Sequence, residues 1–180
     1  MEVPIFVTSN KNKLEEAEHI LGIKLESTNL EIEEIQAVEV SKVAIRKAED
    51  AYLVLKRPVI VEDSGVYLKC MNDFPGALIK YMLESIGTEG ICDVVSLMKN
   101  DRAYAETCVA FHDGNKVHVF SGRINGQIAK KPAGNNGFGW DKVFIPEAHE
   151  ITFGEMEKEE KNKLSMRMMA FSQLRDFLAK

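Results

Sequence analysis

No stretch of this chain approaches the ~18 consecutive apolar residues that a membrane-spanning helix needs. The opening MEVPIFVTSN also lacks the long apolar core of a secretory signal. Both point to a cytoplasmic protein with no membrane partner. Cysteine is scarce: Cys70, Cys92 and Cys108 are odd in number and form no CxxC pair, so they read as reduced thiols that pack the interior. The four histidines, His19, His112, His118 and His149, make no HExxH or other zinc-like spacing, which argues against a zinc site and against a Ser-His-Asp triad. Positive charge is in deficit. With 23 Lys and Arg against 28 Asp and Glu, the net charge of −5 excludes a strongly basic surface for a nucleic-acid polymer, though not a local basic pocket. There is no GxxxxGK[ST] phosphate loop, no internal repeat and no low-complexity linker.

What is present reads as a single α/β domain over residues 1–180. Ile5–Val7 predicts a short buried strand, and Leu14, Ala17, Ile20 and Leu21 recur at helical spacing before Gly22. Alternation over Ile23–Ile32 predicts a second strand. Ser41 offers a cap for a helix that runs toward Pro58. Val59–Val61 forms an apolar strand that meets Glu62, Asp63 and an expected turn at Ser64-Gly65, with Val66–Leu68 as a separate return strand. A loop at NDFPGA, a helix around Lys80–Leu83 and another capped by Thr88 follow. Ala103–His112 and Lys116–Ser121 flank a DGN hairpin turn, and Ile124–Ala129 and Val143–Ile145 add short strands. Leu164, Met168, Phe171, Leu174 and Leu178 mark one final helix. The order predicts a mixed α/β sheet, with two lobes and a cleft between them.

Four places carry chemistry. TSNKNK leaves β-structure through Thr8, Ser9 and Asn10 and enters a helix bearing Lys11, Asn12 and Lys13. Free N–H groups and a positive dipole at such a start, with a mobile ammonium, suit an anion. In VEDSG, adjacent strand residues face opposite sides, so one acid enters the cleft, and Asp63 beside the turn is the choice. Together with the EIEE cluster (Glu31, Glu33, Glu34), such carboxylates suit a hard ion, Mg2+, shared with substrate phosphates. GFGWD sets Phe138, Gly139 and Trp140, the sole tryptophan, on a glycine-rich loop before Asp141, where exposed rings can stack on a planar base. KNKLSMR places Lys161 and Ser165 one helical turn apart, and Arg167 adds a planar fork of donors. Together these describe a pocket for a nucleoside triphosphate.

TSNKNKLEE, VEDSG, FPGALIKY, GFGWD and EKNKLSMR stand in the order found in the inosine triphosphate pyrophosphatase (Ham1) family, which the chain resembles from Phe6 to its last helix. The resemblance implies a homodimer with a long mixed central β-sheet flanked by helices and two lobes around a substrate cleft. It implies Mg2+-dependent hydrolysis of ITP, dITP and XTP to the monophosphate and pyrophosphate, which clears deaminated purines from the nucleotide pool. Carried over by motif, Thr8, Asn10 and Lys13 would hold the triphosphate, helped by the backbone through Ser9, Lys11 and Asn12. Glu34 and Asp63 would bind metal, with Asp63 also the proton acceptor, and Ser64 would lie beside the substrate. Phe138 and Trp140, with Gly139 between them, would flank the base, and Asp141, Lys161 and Arg167 would complete its recognition. One position departs from the family pattern: Met166 stands where the family usually has a histidine that helps hold the base. Three other readings predict different behaviour. A Maf-like diphosphatase would prefer modified pyrimidine nucleotides, a nucleotide sensor would bind without releasing pyrophosphate, and a purely structural interaction domain would show no nucleotide-dependent thermal shift.

Overall fold

The computed structural model describes residues 3–179. A mixed sheet runs in the order β2 (Glu26–Thr28), β1 (Ile5–Val7), β3 (Val59–Leu68), β5 (Arg102–His112), β6 (Val117–Ile128), β7 (Phe144–Pro146), with β4 (Phe74–Gly76) paired to β3 off this path. β1 (Ile5–Val7) leads into α1 (Lys11–Leu21), which returns through Gly22 to β2 (Glu26–Thr28). The second strand is shorter than the alternation over Ile23–Ile32 predicts, because β1 offers it only three partners. α2 (Val40–Leu55) begins one residue before the expected Ser41 cap. Its Val40 N–H donates instead to the Tyr67 hydroxyl at 3.1 Å, so a distant side chain satisfies the first turn.

The largest departure from expectation is β3, which is one continuous strand from Val59 to Leu68. Glu62 and Asp63 sit in its middle, and Ser64-Gly65 makes no turn. The reason is non-local: β5 (Arg102–His112) pairs with β3 along its whole length, from Val59 opposite His112 to Leu68 opposite Ala103. Gly65 serves close approach, since a Cβ there would lie 2.5 Å from the Gly76 carbonyl carbon. That glycine belongs to β4 (Phe74–Gly76), which occupies the expected NDFPGA loop. α3 (Ile79–Met98) is two helical pieces joined at Gly87, where φ is 69°, as the separate helices predict.

β6 (Val117–Ile128) is also unbroken and absorbs the expected Ile124–Ala129 strand. β7 is Phe144–Pro146. The single final helix divides into α4 (Lys158–Leu164) and α5 (Met166–Leu178). Ser165 is extended between them, and its hydroxyl accepts from Met168 N at 3.2 Å.

Alternation along β3 feeds two cores on opposite faces of the sheet. Ile60, with Phe6, Val109 and Phe111, packs beneath Ala17 and Ile20 of α1 and Phe171 and Leu174 of α5. Val59 and Val61, with Cys108 and Ala110, pack beneath Val40, Ala44, Ala48 and Ala51 of α2. A third cluster gathers where β3 and β6 end and β5 begins, around Leu68, Ala105, Ile128, Phe144 and Phe153. Each fully buried aliphatic or aromatic side chain contributes ~1.5–3 kcal/mol. The interior is therefore set firmly on both sides of the strand that carries the acids.

Candidate active site

Beside β3 the sheet has a break. β1 pairs with β3 only as far as Ile60, and β4 takes over at Val66. The chain leaving β1 turns away at this break, and α1 starts there. Asn10 caps the helix, its Oδ1 accepting from Asn12 N at 3.0 Å and Lys13 N at 3.3 Å. Thr8 Oγ1 accepts from Asn10 N at 3.1 Å, which fixes the loop. Thr8 and Ser9 line a cleft of about 370 Å³ with Glu31, Glu33, Glu34 and Lys47. Lys11 and Asn12 are exposed on the first turn of α1.

Glu62 and Asp63 project to opposite faces of β3 at the break, and their surroundings differ sharply. Glu62 is wholly buried. The Arg167 guanidinium grips it with two parallel bonds, Nε to Oε2 at 2.9 Å and Nη2 to Oε1 at 3.0 Å. Lys13 Nζ lies 3.4 Å from Oε1. Burial alone would raise this carboxyl, but the two cations outweigh it and hold it at about 2. Asp63 is half-buried, yet its Oδ2 is shut off from solvent and has no hydrogen-bond partner within the protein. Burial pushes it up to about 6. Lys13 and Lys47 pull the other way, while Glu62 and Glu34 add to the rise. Glu34 forms an ion pair with Lys47 on α2, which outweighs partial burial and lowers its carboxyl. Ser64 follows on the Glu62 face, opposite Thr107 of β5.

A second cavity of about 220 Å³ is lined by Asn12 and Glu16 of α1, Asn136, Phe138, Phe153 and Lys161, among others. Its mouth is built by the glycine-rich loop. Gly137 has a φ of 72°, and a Cβ there would fall 2.2 Å from Asp141 Oδ2. That carboxylate accepts from Phe138 N at 2.7 Å and from Lys161 Nζ at 2.8 Å, which locks loop and α4 together. Lys161 Nζ also stands 5.0 Å from the centre of the Phe138 ring. Gly139 has a φ of 62° and open space around it.

Three placements correct the expectations. Trp140 is not an exposed platform: it is 8% exposed and packs against Phe144 and Phe153. Met166 is fully buried in the same cluster and is not among the residues lining the cavity. A thioether is at home there. Arg167 is only 1% exposed, and three of its five N–H donors are spent on Glu62 and, through Nη1 at 2.5 Å, on Glu16. Sequence reasoning passed over Glu16, Lys47 and Glu62. The signal for Glu16 was present, as it is an acid beside Ala17 on the apolar face of α1.

A helix-start loop suited to anions, a carboxylate with one unpaired oxygen and an aromatic cavity with an ammonium are parts that a nucleotide hydrolase requires. The chain belongs to the Ham1 family, whose model matches residues 4–177. It is 41% identical over 175 residues to the dITP/XTP pyrophosphatase of Hyperthermus butylicus, covering 96% of this chain and 92% of that one. It is 39% identical to the inosine triphosphate pyrophosphatase of Schizosaccharomyces pombe, covering 97% and 94%. A HAM1 protein from Coxiella burnetii superposes with a TM-score of 0.87 at 26% identity, over 97% of each chain.

Proposed function

We propose that the protein hydrolyses non-standard purine nucleoside triphosphates, ITP, dITP and XTP, to the monophosphate and pyrophosphate. The observation that carries the mechanism is Asp63, a half-buried carboxylate on β3 with one oxygen shut off from solvent and left without a partner. An oxygen of that kind, with the Glu34 carboxylate near enough to act on the Asp63 charge, fits a hard cation. Mg2+ is commonly held by one or two carboxylates and the substrate's own phosphates. Asp63 and Glu34 would hold it, and the bound ion would supply charge neutralisation on the phosphate oxygens.

The protein's own residues do the rest. The Thr8–Asn10 loop and the positive end of the α1 dipole bind the triphosphate. Asp63 orients a water and accepts its proton as the oxygen bonds to the α-phosphorus. The bond from that phosphorus to the α,β-bridging oxygen breaks, and pyrophosphate leaves. Lys13 offsets the charge on the leaving group. Phe138 stacks on the base. Since Arg167 is committed to carboxylates, Lys161 is the donor we assign to the 6-oxo group of hypoxanthine or xanthine. Adenine presents an amino donor there, which would leave a buried donor unpaired at a cost of ~1–3 kcal/mol.

The reading extends to a cytoplasmic homodimer in which each chain folds as one domain of two lobes. No described helix is long and apolar enough to cross a membrane. Steady-state pyrophosphate release from ITP, XTP, GTP, ATP and dUTP, with and without Mg2+, tests the function. Rapid release from ITP and XTP alone is expected. Preference for dUTP would favour a Maf-like enzyme, and saturable binding without product would favour a sensor.

A further inference from the structure

The anion loop and the aromatic cavity are joined by an unbroken line of charges, all buried except the part-exposed Lys13. Asp141, on the aromatic loop, meets Lys161 at 2.8 Å, and Lys161 stands 3.8 Å from Glu16. Glu16 meets Arg167 at 2.5 Å, Arg167 forks onto Glu62, and Glu62 reaches Lys13 at 3.4 Å. Three carboxylates alternate with three cations, so the line is neutral as a whole. The contacts of Arg167 and the Asp141–Lys161 pair are short, and the two long contacts are Lys161 to Glu16 and Glu62 to Lys13. Those loose contacts lie where ligands would enter: one borders the aromatic cavity and the other belongs to the lysine of the anion loop.

We propose that Glu62 is a positioning residue that couples occupancy of the base cavity to the readiness of Lys13 for phosphate, an inference that rests on the proposed nucleotide site. Glu62 touches neither ligand in this scheme. Arg167 divides its charge between Glu16 and Glu62, and Lys13 supplies what Glu62 still needs. A base that engages Lys161 and part of the Glu16 carboxylate leaves Arg167 to lean on Glu62. Its bidentate fork then compensates Glu62 without help, and Lys13 is released to the phosphates. A buried ionic network is a poor way to gain stability, because apolar residues of similar volume often serve as well. It is a good way to make one site's charge state matter to another.

The test separates the two ligands physically. Inosine carries the base without phosphate, and inorganic pyrophosphate at fixed Mg2+ carries the anion without base. Calorimetric titration of each, alone and with the other saturating, yields a coupling factor that must be the same in both directions. In the unmodified protein inosine is expected to tighten pyrophosphate binding on the order of tenfold. Glu62→Gln should bring the factor to one while each ligand still binds alone. Arg167→Lys, which keeps the charge but loses the fork, should do the same and serves if the first variant fails to fold. A purely structural Glu62 would lower thermal stability and leave the factor intact, and that result overturns the proposal. So does a factor of one in the unmodified protein, which leaves the hydrolase reading standing. Failure of the unmodified protein to bind either ligand overturns both.

Discussion

Glu62 and Asp63 are neighbours on one strand, and burial raises both carboxyls, yet they move in opposite directions, to about 2 and about 6. The cause is the pleat. It turns Glu62 toward α1 and α5, where Arg167 and Lys13 wait, and Asp63 toward α2, where Lys47 is already engaged with Glu34. A compensated buried carboxylate holds its partners in place, whereas an uncompensated one is poised to take a cation or a proton. The difference between positioning and reacting acids here is a difference of face.

The comparison breaks most visibly if Arg167 is removed. Arg167→Ala leaves Glu16 and Glu62 buried without their partner, and it should destabilise the protein by ~3–5 kcal/mol. Denaturant unfolding at pH 7 reads the loss. A change below ~1 kcal/mol would mean that Glu62 is not held as described.

Asp63→Asn should act in the opposite sense on stability and severely on turnover. Pyrophosphate release from ITP is expected to fall by ~10²–10⁴-fold at saturating Mg2+. In the metal-free protein the same change should stabilise. A carboxyl whose folded pKa lies above its unfolded value costs nothing below the unfolded value, where both states are protonated. It penalises the fold progressively as pH rises through the folded value, so with a pKa of about 6 the penalty is complete above that pH. The gain from Asn should therefore be ~2–3 kcal/mol at pH 8 and vanish near pH 4. A gain independent of pH would deny the buried, unpaired charge.

These outcomes also mark where the sequence could be read. The Asn10 cap was legible because capping is local: its acceptors and donors lie within three residues. The choice of Asp63 over Glu62 followed from strand alternation, although the turn invoked for it does not exist. What fixes the extended path through Ser64-Gly65 is pairing with β5, more than forty residues away along the chain. Glu62 was illegible for the same reason, since its fork comes from a residue 105 positions distant. On the aromatic loop, composition placed two rings near a cavity without ordering them. The turn over Gly139–Lys142 orders them, sending Trp140 inward and leaving Phe138 at the rim.

That division of the two rings makes its own pair of outcomes. Phe138→Ala should weaken inosine binding by ~1–3 kcal/mol through lost stacking, read as a higher Kd with unfolding little changed. Trp140→Ala should instead open the core and cost ~3–5 kcal/mol of stability. If Trp140→Ala left unfolding untouched and abolished inosine binding, the assignment of stacking to Phe138 would be wrong.

The smallest effect tests the Asp63 face itself. Lys47 and Glu34 form a pair that is partly open to water, Glu34 being about half exposed, and such pairs contribute ~0–1 kcal/mol. Lys47→Met should therefore change stability by no more than that at pH 7. Lys47 nevertheless pulls the Asp63 carboxyl downward. Its removal should move the pH at which metal-free Asp63 loses its proton further up, measured by carboxyl-resolved NMR titration. Loss of the pair leaves Glu34 nearer its ordinary range, because the lysine is what lowers it. An Asp63 titration that stayed in place would mean that Lys47 is spent on Glu34 alone, and that the charge at the break in the sheet is set by Lys13.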